Sequence, residues 1–146
     1  MAEAENEQLK VLLVEDNPDD IEITEQALKK SRFDCDLFVV RDGEEALNFL
    51  HRREGHRDAP RPDLILLDLN LPKIDGREVL VQIKQDEKLR RIPVIVLTVS
   101  EYEKDIAKAY NSGASSYITK PVDFRGFVKI METVRDYWEI VTLSSE

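Results

Sequence analysis

Five short apolar or β-branched runs punctuate an otherwise charged chain. They are Leu9-Lys10-Val11-Leu12-Leu13-Val14, then Leu37-Phe38-Val39-Val40 within 36–41, Leu64-Ile65-Leu66-Leu67, Ile92-Pro93-Val94-Ile95-Val96-Leu97-Thr98, and Ser115-Ser116-Tyr117-Ile118-Thr119. Most are continuous rather than alternating, too short for helices, and bounded by polar residues or breakers. That pattern predicts strands covered on both faces, as in a parallel sheet. The stretches between them space their apolar residues three and four apart, the period of a helix with one buried stripe. Helices are expected from about Pro18 to Ser31 (Ile21, Ile23, Ala27, Leu28 inward), after Asp42 (Ala46, Leu47, Phe49, Leu50), from about Arg77 to Asp86 (Val79, Leu80, Ile83), from about Tyr102 to Ser112, and from about Asp123 onward.

Local signals mark the helix ends. Asn17 before Pro18 is a capping residue followed by a proline suited to the first helical position. Asp42 with Glu45 three residues later forms a capping box. Gly113 is placed to stop the fourth helix. Strand then helix, repeated in turn with short connections, leaves few topologies: an α/β, doubly wound five-stranded parallel sheet with helices on both faces. Residues 1–8 are expected to be a flexible tail, 9–138 one domain, and 139–146 a C-terminal extension.

At 146 residues, the chain is long enough for one domain with a core. It has 21 basic and 30 acidic residues, a net charge of -9. This excludes a duplex-binding surface, which needs basic residues against phosphates, and disfavours an anionic membrane. One cysteine, Cys35, excludes an intrachain disulfide and fits a reducing compartment. No window spans a bilayer, and the acidic N-terminus is unlike a signal peptide. A cytoplasmic location is expected.

The chemistry gathers where the strands end. Glu15 and Asp16 follow the first strand, Asp68 the third, Thr98 ends the fourth and Lys120 follows the fifth. In a parallel sheet these ends lie side by side, at the edge where open α/β sheets bind ligands. Three adjacent carboxylates repel, so a proton or cation must be shared. An oxygen-only set favours a hard divalent ion, best Mg2+. Lys120 and a metal can neutralise phosphoryl oxygens, Thr98 can hydrogen-bond one, and Asp68 is left to attack phosphorus.

Glu15-Asp16, the Asp68-Leu69-Asn70-Leu71-Pro72 turn with Asp75-Gly76, Thr98, Tyr117 and Lys120-Pro121 together resemble the receiver domain of two-component response regulators. The likeness runs from about Leu9 to Trp138. It implies a flavodoxin-like sheet of order 2-1-3-4-5 and phosphorylation of Asp68 by a phosphohistidine of a histidine kinase. It also implies Mg2+ held by Asp16, Asp68 and the Asn70 carbonyl, with Glu15 acting through water. Lys120 and Thr98 would bind the phosphoryl group, Tyr117 would swing inward behind Thr98, and the Lys120–Pro121 bond would be cis. The run 61–72 with 75–80, and the long loop before it, resemble stand-alone receivers paired with phytochrome-type histidine kinases. Val99 departs from the smaller residue usual in receivers. With Asn70 and Ser100 it is expected to govern water access to the phosphoryl group.

Each residue also has a plainer reading. Asp68 alone could be a turn residue, Tyr117 a half-buried strand aromatic, and Cys35 a packed thiol. His51 and His56 read as solvated. A phosphatase or mutase of the haloacid dehalogenase type also attacks through a strand-end Asp. It needs a second Asp two residues on, where this chain has Asn70. A receiver-like adaptor that is never phosphorylated would be expected to have lost part of the acidic, Thr and Lys set. Trp138, Ile140, Val141 and Leu143 extend the apolar content of the last helix; the plainer reading is a tail folded onto its own domain, and the sharper one, which is favoured, is a homodimer through that helix and neighbouring elements. No output module follows Trp138, so signalling is expected by protein contact.

Overall fold

β1 (Leu9–Val14) runs through the sheet interior, and Val11 to Val14 are buried. A computed structural model of the chain describes residues 8–144, with side chains through Trp138. The expected tail therefore lies outside the described residues except for Gln8, and so do the side chains of the expected extension. β2 (Cys35–Val40) and β3 (Leu64–Leu67) pair with β1 on either side, and β4 (Val94–Thr98) and β5 (Ser116–Thr119) follow, all parallel. The order is β2-β1-β3-β4-β5, the doubly wound, flavodoxin-like arrangement.

Alternation along each strand sends side chains to opposite faces. Val11, Leu13, Leu64, Leu66, Ile95 and Leu97 pack beneath α1 (Pro18–Lys30) and α5 (Phe124–Ser144). Leu12, Val14, Ile65, Leu67, Val94 and Val96 pack beneath α2 (Gly43–His51), α3 (Gly76–Gln85) and α4 (Glu103–Asn111). Burying such a side chain contributes roughly 1.5–3 kcal/mol. The three central strands are thus the best-anchored parts of the molecule, and their carboxyl ends are fixed with them.

The helix starts follow the local chemistry. Asn17 accepts from the backbone N–H groups of Asp19 and Asp20. Asp42 accepts from Glu45 N–H at 2.7 Å, and the Glu45 carboxylate reaches back to accept from Arg41 N–H at 2.9 Å, one residue before the cap, a shifted form of the expected capping box. Gly113, at φ +105, terminates α4. α4 is the least anchored helix: Ala109 is its one buried residue, and Tyr102 before it provides no side-chain cap.

The structure corrects some expectations. The apolar run 62–72 yields only four strand residues; Asp68 lies one residue beyond β3, and Leu69 turns back into the core. Ile92 is buried in the turn before β4 rather than in the strand. The expected cis bond at Lys120–Pro121 is trans, as is every other peptide bond among the described residues. Trans is the lower-energy isomer by about 0.5–1 kcal/mol, and Lys120 already reaches Asp68 with that bond trans. His56 packs at a tilt against Phe49 with ring centroids 5.5 Å apart and faces Glu45, so it is not simply solvated.

Candidate functional site

Sheet register brings the chemical residues together. Val14 pairs with Leu67, and Leu67 with Val96, so Glu15 and Asp68 each sit one step past a paired residue. Thr98 pairs with Thr119, which puts Lys120 just beyond Thr98. Main-chain bonds continue past the strands: Asp68 N–H donates to the Val14 carbonyl at 3.1 Å, and Lys120 N–H to the Thr98 carbonyl at 2.7 Å.

Asp68 is buried, and its two oxygens face different partners. Oδ1 accepts from the Thr98 hydroxyl at 2.8 Å and from Asn70 N–H at 3.1 Å. Oδ2 accepts from the Lys120 ammonium at 2.9 Å. The Asn70 contact is an Asx turn, a carboxylate bonding its own backbone two residues on. Gly76 makes that turn possible: a Cβ there would lie 2.2 Å from the Asp68 carbonyl oxygen. Asp75 caps α3 immediately before it.

The buried Lys120 side chain meets three carboxylates. Its Nζ lies 2.7 Å from Glu15 Oε1, 2.7 Å from Asp20 Oδ2 and 2.9 Å from Asp68 Oδ2. Burial alone would lower the Lys120 pKa, but hydrogen bonds to these three carboxylates outweigh it and hold the ammonium above its ordinary range. Glu15 shows the opposite strain. Burial pushes its carboxyl up, and the Asp68 charge pushes it further, against the Lys120 hydrogen bond, to about 7. Its other oxygen accepts from Asn17 N–H at 3.1 Å.

Asp16 is exposed at the mouth of this cluster, and its main-chain oxygen accepts from Arg41. Among the described residues no three carboxylates, histidines or thiols converge as a ready ligand set. The Lys120 ammonium stands between Glu15 and Asp68 instead. The donors at this edge are nonetheless all oxygen, and the crowding that raises Glu15 is the kind a hard divalent cation relieves. The residues present fit such an ion.

Tyr117, half-buried, donates its hydroxyl to the Ser100 carbonyl at 2.9 Å. The Ser100 hydroxyl donates to Asp105 Oδ2 at 2.7 Å, and Arg77 clasps Asp105 through Nε and a terminal nitrogen at 2.9 and 2.8 Å. The loop after Thr98 is thereby tied to α3, α4 and β5.

The response regulator receiver domain model matches residues 11–132. The chain belongs to that family. Response regulator Rcp1 of Synechocystis is 43% identical to this receiver over 144 residues, 98% of both chains. The structure of the phosphorylated cyanobacterial phytochrome response regulator RcpA superposes with a TM-score of 0.85 at 45% identity, covering 90% of this chain and 94% of that one. The Mn2+-bound form of Rcp1 superposes with a TM-score of 0.83 at 43% identity, covering 89% and 94%.

Of the residues singled out in the sequence, the receiver brings Glu15, Asp68, Thr98 and Lys120 into direct or shared contact. Asn70 joins through its backbone, whereas the Asp16 carboxylate stays outside, and Tyr117 reaches the site through Ser100. Sequence reading missed Asp20. The signal was there: Asp20 is the third residue of α1, and helical side chains point back toward the N-terminus, here the end of β1. The Arg77–Asp105–Ser100 tie was also missed, because no local pattern joins residues on separate elements. Cys35 is half-buried; burial and then the charges of Asp36 and Asp34 push its thiol up to about 11, unlike a reactive thiolate.

Proposed function

We propose that this receiver accepts a phosphoryl group on Asp68 from a phosphohistidine of a sensor histidine kinase and signals by altering its own surface. The observation that carries this is the Asp68 carboxylate held between the Thr98 hydroxyl and the Lys120 ammonium at the sheet edge. An Asp68 oxygen attacks phosphorus, the P–N bond to the imidazole breaks, and the imidazole leaves with a proton. The product is an acyl phosphate on Asp68. Lys120 neutralises charge on the phosphoryl oxygens and Thr98 donates a hydrogen bond to one. Glu15, Asp16, Asp68 and the Asn70 carbonyl would hold Mg2+, which supplies further charge neutralisation. The receiver thus promotes its own phosphorylation and dephosphorylation and turns over no other substrate.

Thr98, drawn to the phosphoryl group, pulls on the loop that carries Ser100, and Tyr117 follows inward. The surface that reports this runs over α4, Tyr117 and α5, where Tyr102, Tyr110 and Phe124 are exposed. Likeness to Rcp1 and RcpA supports a phytochrome-type kinase as donor, in the cytoplasm. Exposed Tyr137 on α5 supports a homodimer through that helix and the C-terminal extension, 139–146. Sedimentation giving a monomer at high concentration, with and without phosphorylation, would overturn the dimer.

Incubation with acetyl phosphate and Mg2+ should add one phosphoryl mass, stable to acid and labile to base. Asp68→Asn should abolish it. Persistence of the added mass in that variant would overturn the assignment.

A further inference from the structure

We infer that Asp20 is a positioning residue for Lys120: its carboxylate fixes the ammonium against the Asp68 oxygens and so sets the rate of phosphoryl transfer. This rests on the reading of Asp68 as phosphoacceptor. An ammonium has three N–H donors, and Lys120 meets three carboxylate oxygens, those of Glu15, Asp20 and Asp68. Glu15 and Asp68 are both claimed by the Mg2+ site proposed above. Asp20 is the partner left to Lys120 throughout. A lysine needs such a partner, because its charge rides on four rotatable methylenes rather than a rigid fork.

Asp20 is itself well held. Its N–H donates to the Asn17 side chain at 3.2 Å, and its carbonyl accepts from the buried Thr24 hydroxyl at 2.7 Å. Pro18 stiffens the same helical turn. The helix N-terminus favours the charged carboxylate. Asp20 therefore anchors Lys120 from α1, a rigid element, while the strand-end loops adjust around the phosphoryl group.

A positioning role and a bulk charge role make opposite predictions. The chain is net negative at -9, so removing one carboxylate should speed attack on anionic acetyl phosphate if only overall charge matters. A misplaced Lys120 should slow it.

The test measures the maximal rate constant for phosphorylation by acetyl phosphate and the Mg2+ dissociation constant, the latter by calorimetry. Asp20→Asn and Asp20→Ala should lower the rate constant about tenfold or more, with Mg2+ affinity and thermal stability close to the parent. Asp20→Glu should recover part of the rate. In a Lys120→Ala background, Asp20→Asn should have no further effect, since one acts through the other. A rate unchanged or raised in Asp20→Asn, or an equal loss in both backgrounds, would overturn the inference. So would a Mg2+ affinity that falls in step with the rate, which would make Asp20 a metal ligand. An unphosphorylated parent chain would instead sink the assignment of Asp68, and this inference with it.

Discussion

The Tyr117 hydroxyl donates to the Ser100 carbonyl 2.9 Å away, tying β5 to the loop that leaves Thr98. The Tyr117 hydroxyl thus meets the backbone two residues past Thr98. Tyr117→Phe keeps the ring and removes one hydrogen bond, so it should cost about 0.5–1.5 kcal/mol. Amide exchange at 99–103 should quicken while β1 stays protected. Unaltered exchange in that loop would refute the tie.

Asp105 gives the same loop a pH dependence. Hydrogen bonds from Arg77 and then Ser100 hold its carboxyl at about 2, below the ordinary 3.8. A depressed carboxyl stabilises the fold above its unfolded value and ceases to do so as pH falls through its folded value. The contribution should be complete above about pH 4 and fade toward about pH 2. Asp105→Asn should flatten that part of a stability-against-pH curve from urea melts. An identical acid limb in both proteins would argue against it.

Thr98 is fully buried, and its hydroxyl serves one buried charged acceptor. Thr98→Val preserves shape and leaves Asp68 Oδ1 with only the Asn70 N–H. Hydrogen bonds to charged groups contribute about 1.5–3 kcal/mol, so urea unfolding should show a loss of that order. Phosphorylation by acetyl phosphate should slow as well. A parent-like midpoint and rate would rule out the assigned bond.

At Gly76 an added methyl would meet the Asp68 carbonyl oxygen at 2.2 Å and Leu69 Cα at 2.6 Å, both backbone atoms. Neither can yield without moving the turn that presents Asp68. Gly76→Ala should cost roughly 1–3 kcal/mol and slow phosphorylation at saturating Mg2+. Normal kinetics in a stably folded variant would show that the turn tolerates the shift.

Val99 is 63% exposed directly after Thr98. A branched side chain at that position is expected to narrow the path of water to a phosphoryl group on Asp68. Val99→Ala should shorten the lifetime of the phosphorylated protein severalfold, measured as phosphate release after removal of donor. An unchanged half-life would dismiss the screening role.

What the chain spelled out locally was the sheet and its punctuation. Strands covered on both faces must be continuously apolar, as Leu64 to Leu67 are, and helix starts need acceptors such as Asn17 and Asp42 at their caps. Because a parallel sheet aligns its carboxyl ends, the order of Glu15, Asp68, Thr98 and Lys120 already implied one shared edge. Which oxygens Lys120 would choose was not written there. Asp20 lies 100 residues from Lys120 in sequence, and only the packing of α1 against the end of β1 brings it to 2.7 Å. The Arg77–Asp105–Ser100 tie was likewise settled by packing. Apolar burial is governed by short-range periodicity; the partners of a buried charge are set by whichever counter-charges folding delivers, and these come from separate elements.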